Sequence, residues 1–152
     1  MSAWDLRVVH EALSLTTLVL IGLHGAVLLG DGFLQPGLAG IAIPFVGPYR
    51  PVWTALGIIA GYGLAVLGLT YYLRDRIGPR RWRQMHRFTA LFWLLGAAHS
   101  LGSGSDATRA WFLLIGGLAL VPALILLLGR MGRAVGEALG LPREESPLRH
   151  TP

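Results

Sequence analysis

Long apolar runs alternate with short polar connections along this chain. Four runs stand out, roughly 7–30, 51–73, 84–103 and 109–129. About twenty residues of helix cross the hydrocarbon core of a bilayer. Inside lipid the backbone must satisfy its own hydrogen bonds, so each run is predicted to be an α-helix. The expected fold is an all-α membrane protein: a four-helix transmembrane bundle over residues 1–130, then a short cytoplasmic tail over 131–152. Pro122 is expected to kink the fourth helix. The first run is too long for an ordinary signal-peptide core and reads as a retained anchor.

The connections differ in charge. The second, "LRDRIGPRRWRQMHR", holds Arg74, Arg76, Arg80, Arg81, Arg83 and Arg87 against the single acid Asp75. The first contains only Arg50, and the third only Arg109. Basic residues concentrate on the cytoplasmic side. That places the second connection in the cytoplasm and, with four crossings, both termini as well. Arg7, Arg130, Arg133, Arg143 and Arg149 agree. The expected location is the plasma (inner) membrane, with multiple passes. The first connection is unusually apolar. Its "IAIPFVGPY" is expected to lie in the outer interface or to dip back into the membrane.

Composition narrows the chemistry. Charged residues make up 14% and hydrophobic residues 53%, which favours lipid contact over a soluble domain. The net charge of +5 comes from arginines flanking apolar spans, so no nucleic-acid partner is expected. There is no cysteine, which excludes disulfides, iron–sulfur ligation and thiolate chemistry. No nucleophile–base arrangement suggests a hydrolase.

Four of the five histidines fall inside apolar runs. His10 and His24 share the first run; His86 and His99 share the third. Ionisable residues in membrane helices point to function. These two helices run in the same direction, so His10 and His86 match in depth, as do His24 and His99. At about 1.5 Å per residue the two levels lie about 20 Å apart. Each pair suits one bridging ligand, and imidazole is a good ligand for haem iron. A zinc site would need four close ligands, which two levels so far apart do not supply. Thirteen steps at about 100° miss a common face by about 140°, against about 40° for fourteen. An irregularity between His86 and His99 is therefore expected, with a π-bulge, a bend near Gly96 or a strong helix crossing absorbing the difference. The competing reading has the histidines bonding neighbouring helices or relaying protons in a haem-free transporter or assembly scaffold. Glu11 is the only carboxylate inside a span, which argues against a relay. His150 lies in the polar tail.

The pattern His-x13-His on one helix and His-x12-His on the next but one resembles the transmembrane core of the ferric reductase and NADPH oxidase superfamily. "HEALSLTTLVLIGLH", "PFVGPYRPVWTALGIIAGY", "RRWRQMHRFTALFWLLGAAH" and the turn "GSD" also look like bacterial ferric reductase-like membrane proteins. The resemblance covers about residues 7 to 129. It implies two b-type haems, the inner held by His10 and His86 and the outer by His24 and His99. His10 lies only a few residues into its helix, so the inner site is the one nearer water. The resemblance further implies a di-haem cytochrome b carrying electrons across the bilayer. Larger members have two further helices and a cytoplasmic flavin and nicotinamide domain. With no counterpart here, this chain is expected to act as the haem subunit of a reductase. Its partners would be a separate flavoprotein or quinol donor and an outer-side acceptor. Whether the chain alone is an enzyme stays open.

Haem carboxylates need cations. Arg50 is the expected partner of the outer haem; Arg83, Arg87 and Arg7 are candidates for the inner one. Gly22, Gly25 and Gly96 neighbour the proposed ligands, either to admit a flat ring or to pack helices closely. Phe88, Phe92 and Trp93 suit either haem packing or lipid. Trp53, Tyr71, Tyr72, Trp82 and Trp111 read as interfacial anchors.

Overall fold

The computed structural model describes residues 3–140. It is helical, with no strand among the described residues. The expectations for His150, Arg143, Arg149 and the end of the tail lie outside the described residues. Two compact units divide the chain, residues 1–109 and 110–152.

In the first unit, α1 (Ala3–Leu29) leads through a turn into the short α2 (Gly37–Ala42). Helix α3 (Pro51–Leu69) continues through a 3₁₀ turn, Thr70–Leu73, into α4 (Arg74–Ile77). Gly78, with φ of 91°, ends α4. Pro79 then opens α5 (Pro79–His86), which is where a fixed φ and a missing N–H cost nothing. Helix α6 (Thr89–Ser103) follows.

Helix α3 is the hub. It packs closely along α6, and more lightly against α1. Its small residues permit this: Ala55 and Ala60 are buried, with Leu67. Aromatic rings of one helix also enter glycine positions of the other. A Cβ on Gly63 would collide with the Phe92 ring, and one on Gly102 with the Trp53 ring. Without a hydrophobic drive between helices in lipid, such close contact is what joins them. Helices α1 and α6 show no comparable backbone packing.

The second unit contains α7 (Ala110–Ala138), which continues through Pro122 and beyond residue 130.

Among the described residues, three helical stretches are long and apolar enough to cross a membrane: Asp5–Leu29, Pro51–Ile77 and Ala110–Gly136. The expected run 84–103 is not a fourth such helix, because it is interrupted at Arg87 and Phe88. The 15 residues of α6 extend about 22 Å, short of the about 30 Å hydrocarbon core.

Candidate functional site

The interruption falls one residue after His86. Phe88 N–H donates to Met85 O at 3.0 Å and Ala90 N–H to Arg87 O at 3.4 Å. These bonds reach back three residues rather than four. The chain therefore winds at about 120° per residue instead of about 100°. Faster winding acts in the sense needed to bring His99 toward the face of His86. An irregularity between His86 and His99 is present, but as a tight turn at Arg87–Phe88 and not as a π-bulge or a bend near Gly96.

The four histidines meet in pairs across the space between α1 and the α5–α6 segment. The ring centroids of His10 and His86 are 6.2 Å apart, with ring planes at 57°. Those of His24 and His99 are 6.3 Å apart, at 71°. Metal–imidazole bonds are about 2 Å. Adding about 1 Å from each nitrogen to its ring centre places two imidazoles on one metal about 6 Å apart. Both pairs have that separation. The rings of each pair are tilted or edge-to-face and not stacked. Among the described residues there is no cluster of three or more His, Cys, Asp or Glu able to hold a metal. Each pair could supply two imidazoles to a metal or metal-bearing cofactor.

Three of the rings are oriented from behind. His99 Nδ1–H donates to the Trp53 carbonyl at 2.9 Å, which fixes that tautomer and leaves Nε2 with its lone pair. A Cβ on Gly57 would lie 2.6 Å from the same ring, so α3 seats His99 in a glycine notch one turn beyond Trp53. On α1, Ser14 Oγ lies 3.4 Å from His10 Nδ1. Thr89 Oγ1 lies 3.5 Å from His86 Nδ1. Engaging the second ring nitrogen is how metal-binding histidines are held in place. Trp82 stacks on His86, with centroids 4.7 Å apart and planes at 23°. Its Nε1 is buried with no hydrogen-bond partner. Tyr71 contacts Trp82 in turn, at 5.9 Å. Beside His10, Glu11 accepts a 3.0 Å hydrogen bond from Tyr72 O–H, tying α1 to the 3₁₀ turn that follows α3.

The glycines divide into two groups. A Cβ on Gly22 or Gly25 would meet nothing within 4 Å. Close helix packing therefore does not account for them, and the space beside them on α1 is open. Gly96 differs: its Cβ would meet Ala60 at 3.8 Å, so it serves the α3–α6 interface. Phe92 also packs there, on Gly63. Arg50 donates to the carbonyl of Gly102, near the end of α6, and its guanidinium lies 5.5 Å from the Tyr49 ring centre. Arg109 pairs with Asp106 at 3.7 Å. Arg83 and Arg87 are exposed, beside and after His86.

Sequence spacing signals some of these supports. Ser14 is four residues after His10, Thr89 three after His86, and Trp82 four before it, all distances that share a helix face. Trp53 and Gly57 lie more than forty residues from His99, and no local pattern identifies them.

Among known proteins, a family model described as "Ferric reductase like transmembrane component" matches residues 1–97. The matched stretch takes in His10, His24 and His86 and ends two residues before His99. None of the curated proteins and none of the solved structures matches the chain.

Proposed function

The chain belongs to the ferric reductase-like transmembrane component family, and from that premise we propose that it is a membrane di-haem b-type cytochrome. His10 and His86 hold one haem; His24 and His99 hold the other. The observation that carries this reading is the pair of ring separations, 6.2 and 6.3 Å, at two depths of the same two segments.

When bound, haem supplies the one-electron chemistry that these side chains lack. The protein's own residues bind and orient. Trp53, Gly57, Ser14 and Thr89 set the imidazoles, while Gly22 and Gly25 leave room for a flat ring. Arg83 and Arg87 answer the carboxylates of the inner haem, with Arg7 on the neighbouring helix. Arg50, although bonded to Gly102, retains further N–H groups for those of the outer haem.

The segment from α5 through α6 makes a crossing in addition to the three long helices, giving a four-helix bundle. The arginine distribution supports a cytoplasmic second connection and cytoplasmic termini, in the plasma (inner) membrane. Electrons enter from a separate flavoprotein or quinol and leave to an outer-side acceptor. The chain is thus the haem subunit of a reductase.

Single histidine variants test the assignment. His24→Ala or His99→Ala is expected to halve the haem per chain by emptying the outer site. His10→Ala or His86→Ala is expected to empty the inner one. Full haem content in all four variants would contradict the proposed ligands.

A further inference from the structure

Residues 37–48, "GLAGIAIPFVGP", contain no polar side chain. An apolar stretch of this length is too short to span a bilayer and suits a re-entrant or interfacial segment. One hydrogen bond decides between the two. Tyr62 O–H, from α3, donates to the Ala42 carbonyl at 2.8 Å. Tyr62 is twelve residues from Arg50 at one end of its span and twelve from Arg74 at the other. Its Cα therefore sits at the middle of the apolar stretch. A tyrosine side chain plus one hydrogen bond reaches about 10 Å, while half the hydrocarbon core is about 15 Å. Ala42 thus lies within the core and not at its surface.

The segment is built for that depth. Two of its donors turn inward: Gly40 N–H bonds Pro36 O at 3.1 Å, and Ile43 N–H bonds Ala39 O at 2.9 Å. Gly40 and Gly47 are both buried and cross closely, since a Cβ on Gly47 would meet Gly40 O at 3.3 Å. Irregular backbone at membrane depth is tolerated where protein covers it, and the crossing of Gly40 and Gly47 is covered in that way. The outward side chains are all apolar: Leu38 is 73% exposed and Phe45 61%, with Ile43 and Val46 also exposed. The polar groups stay nearer the end of α1, where Asp31 Oδ1 accepts from Phe33 N–H and Leu34 N–H.

We propose that residues 37–48 form a re-entrant element whose exposed face, Leu38, Ile43, Phe45 and Val46, contacts lipid acyl chains in the leaflet at the Arg50 end. Depth within the hydrocarbon core, set by the Tyr62–Ala42 hydrogen bond, is what selects acyl chains as the occupant. This reading is independent of haem.

The chain has no cysteine, so single labels report cleanly. Nitroxides at Leu38→Cys and Phe45→Cys are compared with Val66→Cys on the exposed side of α3 and Arg81→Cys in the polar connection. The full chain is placed in phosphatidylcholine vesicles. Collisions with oxygen, which concentrates in hydrocarbon, and with a water-soluble nickel chelate are measured. Labels at 38 and 45 are expected to match the label at 66, with oxygen collisions favoured several-fold. Behaviour like the label at 81 would overturn the proposal in favour of an aqueous loop. Protection from both reagents would overturn it in favour of a protein-covered face. The two positions report separately, so failure of one variant to fold leaves the other decisive.

Discussion

His99 is held by two features of α3, the Trp53 carbonyl and the missing side chain at Gly57. Gly57→Leu is expected to displace the ring, cutting haem from two per chain to about one while the inner site keeps its own. Haem quantified by absorbance checks it, and an unchanged value would show that the notch is not needed. Trp82 acts on the other site by stacking on His86. Trp82→Leu is expected to move the low-spin paramagnetic resonance signal and midpoint potential of the inner haem alone, with Trp82→Phe restoring most of the shift. Equal shifts at both sites would contradict a local role. The four histidines were legible in sequence because ionisable residues are conspicuous among apolar ones. Ser14, Thr89 and Trp82 were within reach through helical spacing. Gly57 and Trp53 were not, since only tertiary packing brings α3 to His99.

Elements extend the same logic. The tight turn at Arg87–Phe88 shifts the rotation of α6 relative to α5, and the twelve intervening residues set which face His99 occupies. One alanine inserted after Ala97 would rotate His99 by about 100°. It is expected to abolish the outer haem and spare the inner, read as haem per chain. Retention of both haems would mean that register is not what selects the pair. Arg50 ties the start of α3 to the end of α6 through Gly102. Arg50→Ala is expected to cost about 1 kcal/mol of stability for the lost hydrogen bond, measured by thermal unfolding in detergent. No loss would remove the tie from the account. Apolar run length was enough to read α1, α3 and α7 from sequence. It overstated the third run, because composition does not register a turn made of ordinary helix-compatible residues such as Arg87 and Phe88. The wrong-face spacing of His86 and His99 did signal it.

At the scale of the first unit, α3 acts as a spine carrying α6, while the histidines of α1 meet those of the α5–α6 segment. Two levels of paired imidazoles about 20 Å apart on the helical rise suit a relay through the membrane thickness. The most direct test of that claim is a dithionite-reduced minus oxidised absorbance spectrum of the purified full chain, made with ample haem supply, with haem counted per chain. Sharp b-type bands and about two haems per chain are expected. A colourless protein without those bands would contradict it.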